Sequence, residues 1–265
     1  MVSTAKLLAI RLKDVQFITG YKIASTYLRS RMSYITDSLE NISFEYNVGG
    51  EFLEKKLSRD HYFYSGAFTT FHPIGGTTYV LTRDPYKRLL SGIIQATLHP
   101  SQNGPNGAFK KIKGISEEFY ETVGFYLNLP SKDLLTSEKI FSTPTLQEDL
   151  VEFCHQIVTN YLSYIFNDSH CSHYNRDLYV YIKHINTDEF KILDIDMKPD
   201  ALTNYFDTKS TVLKQSNKAF TETLHNTIQN LNTRSRQYRM INEYIEIENK
   251  YKSKVIELLH KLHEI

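Results

Sequence analysis

The sequence predicts a single α/β domain spanning residues 1–265, with a central parallel sheet flanked by helices and a helical C-terminal part. Three observations predict it. Val15 to Thr19 (VQFIT) is a compact apolar run, followed by Gly20 and by a stretch whose Ile23, Tyr27, Met32, Ile35 and Leu39 fall on one helical face. Thr77 to Thr82 (TTYVLT) repeats that arrangement: it is β-branched and apolar, with Gly75 and Gly76 before it and Asp84 and Pro85 after it, as expected for a buried parallel strand. Pro85 suits the first turn of a helix carrying Tyr86 to Leu98. From Asn217 onward the pattern is helical, and Ile241, Tyr244, Ile245, Tyr251, Val255 and Leu259 belong to one apolar stripe. Sustained heptads are absent, so the stripe reads as core packing rather than a coiled-coil seam.

The remaining elements follow in order. Residues 41 to 58 mix turn and helix signals and receive no assignment, and Tyr62 to Phe71 holds a short strand. Residues 99 to 114 (HPSQNGPNGAFKKIKG) lack periodicity and read as an exposed loop, a candidate substrate lid. Leu150, Phe153, Ile157, Tyr161, Leu162 and Ile165 have helical spacing. DLYVYIKHI and FKILDID read as two strands across a turn at Asn186 to Glu189, and MKPDALTNYF as a further helix. No repeat or linker divides the chain.

Composition narrows the function. With 31 basic and 30 acidic residues the net charge is +1, so no overall field steers the chain onto nucleic acid or an anionic membrane. The apolar residues Leu7 to Ile10 are hemmed in by Lys6, Arg11 and Lys13 and have no small-residue cleavage site, so no signal peptide is expected. No apolar run approaches the roughly 20 residues of a membrane span. Cys154 and Cys171 are too few for a disulfide framework, and a reducing, cytoplasmic location is the expectation.

Two segments carry chemistry. TGYKIAST places a lysine, two hydroxyls and backbone amides where a strand gives way to a helix, which makes a P-loop-like anion cradle. Lys22 supplies a mobile point charge, and Ser25 and Thr26 supply hydrogen bonds to phosphate oxygens. A true P-loop needs another glycine four residues before a Gly-Lys pair, and Tyr21 precedes Lys22 here. In YVLTRDPYKRLLSG, Arg83 stands at the carboxyl end of the second strand and Ser91 eight residues along the following helix, where the two can hold a terminal phosphate. Asp84 is placed to cap that helix. Arg88 is either a second phosphate contact or a salt-bridge partner.

These segments resemble a family. KIASTY is similar to the 5′-phosphosulfate loop of sulfotransferases and RDPYKRLLS to their 3′-phosphate motif, with the same arginine-to-serine spacing and the same order along the chain. The resemblance implies 3′-phosphoadenosine 5′-phosphosulfate as donor. Lys22, Ile23, Ala24, Ser25, Thr26 and Tyr27 then form the loop at its 5′ end, and Arg83 and Ser91 hold the 3′-phosphate. FKILDIDMKPDALTNYF is similar to a strand and helix of the polysaccharide-type enzymes, with Asp196 in the acidic place, so a carbohydrate hydroxyl is the expected acceptor. An acceptor hydroxyl would attack sulfur in line while charge builds on the oxygen bridging to the 5′-phosphate, which Lys22 is placed to stabilise. No metal is required.

A base of near-neutral pKa must take the acceptor's proton. The interval between the motifs offers His61 and His72 beside Glu51, Glu54 and Asp60. His72, in FTTFHP, is favoured because its place is similar to that of the histidine in soluble small-molecule sulfotransferases. The polysaccharide type carries a glycine and histidine after an aromatic stretch, where this chain has FYSGAF and Ala67. His170, Cys171 and His173 lack a second ligand pair at zinc spacing and read instead as a polar loop, with His170 an acceptor contact. Lys110, Lys111 and Lys113 either grip an anionic acceptor or are solvated charge. The alternatives to a sulfotransferase are a nucleotide-dependent kinase and a non-catalytic nucleotide-binding protein of similar fold.

Overall fold

Leu7, Leu8, Ala9 and Ile10 are all fully buried. Side chains alternate between the faces of a strand, so four in succession can be buried only where both faces are covered. That strand is β1 (Lys6–Leu12), and it turns directly into β2 (Val15–Gly20). The structure is a computed structural model that describes residues 6–12, 15–20, 23, 28, 55–56, 61–67, 76–98, 112–126, 142–184, 190–197 and 218–263. After β2 come β3 (Lys55–Lys56), β4 (His61–Ala67) and β5 (Thr77–Thr82), followed by α1 (Pro85–Leu98), α2 (Glu117–Tyr126) and α3 (Pro144–Gln156). Next are α4 (Tyr174–Ile182), β6 (Phe190–Asp194), α5 (Lys218–Gln229) and α6 (Arg236–His263).

Among the described residues the strands form one mixed sheet in the order β3-β4-β1-β2-β5-β6, and with its flanking helices the chain is of the α/β class. Of these, β2, β5 and β6 pair in parallel; β1 is antiparallel to both β2 and β4, so β4 runs in the same direction as β2. The expected central parallel sheet is therefore the β2-β5-β6 part of a mixed one. The hairpin into β2 is the reason, because a connection of two residues can join only antiparallel neighbours. Side chains report the β2/β5 register independently: Phe17 stacks on Tyr79 with ring centroids 5.7 Å apart, and Gln16 Nε2 donates to Thr78 Oγ1 at 3.3 Å. Both are directly paired positions.

The chain groups into two compact units. One comprises Ser3–Arg88, Ser172–Leu213 and Tyr244–Ile265, the other Met1–Val2, Leu89–Cys171 and Lys214–Glu243. In the first, α4 and the later part of α6 pack on the sheet, contributing Tyr174, Leu178, Ile182, Val255 and Leu259 to its core. Asp177 to Ile182 of the segment DLYVYIKHI are thus helical, not a strand. Burial at Tyr174, Leu178, Tyr181 and Ile182 follows the helical repeat, and the aromatic and β-branched residues that suggested a strand are held helical by packing. The apolar stripe of α6 is core, as expected: Ile241, Tyr244, Val255 and Leu259 are buried.

The second unit is helical where described. Phe119 of α2 packs against Phe153 of α3 and Phe220 of α5, with ring centroids 5.3 and 6.0 Å away. Helix α3 passes into a π-helical turn, Ile157–Tyr161, where the Thr159 carbonyl accepts a hydrogen bond from Gln237 Nε2 at 2.8 Å. A π-turn displaces a carbonyl from the regular ladder, and the glutamine satisfies it. Of the loop expected over 99–114, only 112–114 is described; MKPDALTNYF lies outside the described residues apart from Met197. No described helix is long and apolar enough to cross a membrane.

Gly92 on α1 has no room for a side chain, since a Cβ there would lie 2.7 Å from the His170 carbonyl oxygen and 3.0 Å from Cys171 Sγ. Gly92→Ala is expected to destabilise the protein by about 1–3 kcal/mol, the usual range for overpacking. Urea unfolding measures it, and an unchanged midpoint would show that His170 does not press on this helix.

Candidate functional site

The carboxyl ends of β2, β5 and β6 share one edge of the sheet. Ile18 pairs with Val80, which brings Gly20 level with Thr82, and Thr82 pairs with Asp194. In open α/β sheets this edge is where ligands bind, because the connections that leave it present backbone amides and polar side chains outward. Gly20, Arg83 and Asp196 therefore come together at one edge, all within the first unit.

At β2, Ile23 N–H donates to the Gly20 carbonyl at 3.3 Å and the Thr19 hydroxyl donates to the Ile23 carbonyl, which ties Ile23 back to the end of the strand. Ile23 and Leu28 are buried in the core. Lys22, Ala24, Ser25, Thr26 and Tyr27 lie outside the described residues. Gly20 is required by its neighbour: a Cβ here would lie 2.6 Å from Tyr174 Cε2.

At β5, the start of α1 is held from two sides. Asp84 Oδ1 accepts the Lys87 amide at 2.8 Å, the N-cap bond the sequence predicted, with Pro85 in the first turn. Asp84 N–H in turn donates to Asp196 Oδ2 at 2.7 Å, and Lys87 Nζ reaches Asp196 Oδ1 at 3.3 Å. Asp196 therefore fastens the end of β6 to the first turn of α1. Arg83 is half-buried beside these carboxylates. Burial lowers the pKa of its guanidinium from the ordinary value, Asp196 and Asp84 raise it, and Arg88 lowers it again. An arginine remains charged throughout the physiological range, so it can receive an anion here. Thr82 Oγ1 is buried and has no hydrogen-bond partner among the described residues, a feature of sites that another group completes.

Arg88 is not available to a phosphate. Its guanidinium is buried and Nη1 contacts Glu248 Oε2 at 3.4 Å, the Ser172 carbonyl at 2.8 Å and Tyr244 Oη at 2.5 Å. Glu248 Oε2 also accepts Asn175 N–H at 3.1 Å, and His173 Nδ1 lies 3.5 Å from Oε1 with its ring stacked on Tyr244. Of the two roles open to Arg88, the salt bridge holds. Ser91 lies half-buried further along α1.

The register carries His61 away from this edge. His61 pairs with Leu12, which pairs with Val15, whereas Gly66 and Gly20 both pair with Leu7. His61 is thus about 16 Å from the level of Gly20 at roughly 3.3 Å per residue, beyond the reach of a side chain. His72, Glu51, Glu54, Asp60, Lys110 and Lys111 lie outside the described residues, and Lys113 is exposed. His170 Nδ1 pairs with Asp168 Oδ1 at 2.7 Å, and Cys171 is buried. Among the described residues no group of three His, Cys, Asp or Glu side chains is arranged to hold a metal ion.

Two residues at the edge were not singled out from the sequence. Tyr174 touches the ends of both β2 and β5, and Lys252 of α6 reaches Asp194 Oδ2 at 2.5 Å. Burial would raise the Asp194 carboxyl, but the bond and charge of Lys252 and the amides of Asp196 and Met197 outweigh it and hold its pKa below the ordinary value.

Arg88→Met leaves Glu248 buried without its cation and should cost about 3–5 kcal/mol in urea unfolding. Adding Glu248→Gln, whose carboxamide still accepts Asn175 N–H, should recover much of that loss; additive losses would show that the charges are not coupled. Asp194, with its folded-state pKa depressed, contributes stability above its unfolded value of about 3.9, and this contribution is lost as pH falls through the folded pKa. Asp194→Asn should therefore be less stable than wild type at pH 7, with the difference vanishing in acid. Thermal melts across pH measure this, and a constant difference would count against the pairing with Lys252.

Compared with known proteins, the chain matches no family model, no curated protein and no solved structure.

Proposed function

We propose that the chain is a sulfotransferase that moves a sulfuryl group from 3′-phosphoadenosine 5′-phosphosulfate to a hydroxyl, with carbohydrate as the acceptor class. The observation that carries the reading is the parallel pairing of β2 with β5. The segments that resemble the family's two phosphate motifs follow adjacent parallel strands and leave the same edge of the sheet. A nucleotide with phosphates at both its 5′ and 3′ positions needs two anion sites a nucleoside apart, and neighbouring strand ends provide such a pair.

In this reading the segment after Gly20 receives the 5′-phosphosulfate, with Lys22, Ser25 and Thr26 as its polar contacts. Arg83 takes the 3′-phosphate, and Arg88, bound to Glu248, has no part in it. As the acceptor oxygen attacks sulfur, the bond to the bridging oxygen breaks and its electron pair remains on the 5′-phosphate, where Lys22 meets the developing charge. The acceptor's proton goes to a base. His72 is the candidate, since it follows the end of β4, whose Gly66 is level with Gly20, while His61 begins that strand at the far edge. No step calls on a metal ion.

Adenosine 3′,5′-bisphosphate at about 100 times its Kd should stabilise the protein by about 2.7 kcal/mol in a thermal-shift measurement, and ATP should not. Arg83→Ala should remove most of that stabilisation, and Lys22→Ala should lower turnover more than affinity. Equal shifts with ATP would favour a kinase, and no shift with either nucleotide would sink the proposal. Binding without loss of the donor's sulfuryl group across a panel of glycans, phenols and peptides would leave a non-catalytic binding protein.

A further inference from the structure

We infer that Tyr174 is a positioning residue that couples the two phosphate-binding turns, so that the end of β2 and the end of β5 keep a fixed separation. The ligand served by this coupling is the nucleotide of the proposed function, and to that extent the inference rests on that reading; the contacts themselves do not. Tyr174 is the first residue of α4 and is fully buried. Its ring lies against Gly20 so closely that no Cβ fits between them. Its hydroxyl donates to the Leu81 carbonyl at 3.2 Å, two residues before Arg83. One rigid side chain thus touches the last residue of β2 and the last turn of backbone before Arg83.

Three further features keep the ring in place. The Arg88 guanidinium stands over its face, 5.6 Å from the centroid. Arg88 also binds the Ser172 carbonyl and Asn175 N–H binds Glu248, which fixes the backbone on both sides of Tyr174. Burial raises the phenol's pKa above its ordinary value, with Glu248 adding to this and Arg88 opposing it, so the hydroxyl remains protonated and able to donate. A side chain needed only to fill the core would not require this hydroxyl. Phenylalanine fills the same space, so Tyr174→Phe isolates the coupling from the packing.

The test has two arms. In the ligand-free protein, hydrogen exchange is measured at the Ile23 amide, bonded to Gly20, and at the Asp84 amide, bonded to Asp196. Tyr174→Phe should speed exchange at both by about fivefold, the factor matching one ordinary hydrogen bond, while amides of β1 stay unchanged. A uniform rise across the sheet would mean general destabilisation, and a rise only at Asp84 would mean that the turns are independent; either overturns the inference. In the second arm, affinity for adenosine 3′,5′-bisphosphate is measured by calorimetry for wild type, Tyr174→Phe, Arg83→Ala and the double variant. Tyr174→Phe should weaken binding about fivefold in wild type and less than twofold beside Arg83→Ala, because the effect passes through Arg83. Equal factors in both backgrounds overturn the inference. Absence of binding by wild type would sink the nucleotide reading alone, and the coupling would then stand or fall on the exchange arm.

Discussion

The first unit depends on one buried ion pair. Arg88 and Glu248 are almost wholly removed from water, and each would be costly there without the other. Around the pair, the Ser172 carbonyl, Tyr244 hydroxyl and Asn175 amide add further hydrogen bonds. The network joins the start of α1, the start of α4 and the middle of α6 at one point. Apolar side chains could fill the same volume with as much stability, but they would not fix the register of three helices as directional bonds do. That register puts Tyr174 against Gly20 and α1 directly behind Arg83.

The edge that carries Gly20, Arg83 and Asp196 is a consequence of the sheet's mixed order. Among the described strands β2, β5 and β6 pair in parallel, and β4, antiparallel to β1, runs the same way, so all four bring their carboxyl ends to one side of the sheet. The antiparallel pair β1 and β4 lies on the other side of β2, and β1 covers what would have been its open edge. At the site itself charge is nearly balanced: Arg83, Lys87 and Lys252 face Asp84, Asp194 and Asp196. All three carboxylates bind backbone amides, which fixes their geometry.

Much of this was legible in the sequence, and the exceptions have physical causes. β2, β5 and β6 were read because their residues are apolar or β-branched and bounded by turn residues, and the Asp84 cap because its chemistry is local. β1 was passed over because Lys6 and Arg11 interrupt it, yet Arg11 is itself almost buried within the strand. Helix α4 was taken for a strand from its tyrosines and valine; starting the count at Tyr174 would have exposed the spacing to Leu178, Tyr181 and Ile182. Glu248 carries a signal of another kind, a carboxylate in the apolar stripe of α6, four residues after Tyr244 and seven before Val255. A charge at a core-facing position implies a buried partner, and Arg88 was already in view as a salt-bridge candidate. Pairing the two needed the fold, since nothing local connects residues so far apart.

That separation has a consequence for how the chain is made. Arg88 and Glu248 are 160 residues apart, and at a synthesis rate of about 5–20 residues per second the arginine emerges from the ribosome roughly 8–32 s before its carboxylate. The parallel strand β6 also pairs with a strand 112 residues earlier, as Thr78 does with Phe190. The sheet's unit therefore cannot close during translation until its last helix has been delivered, whereas the intervening helices of the other unit can form from local contacts in the meantime. A nascent chain released early would hold an unpaired arginine and an open strand edge, the surface that a holding chaperone binds.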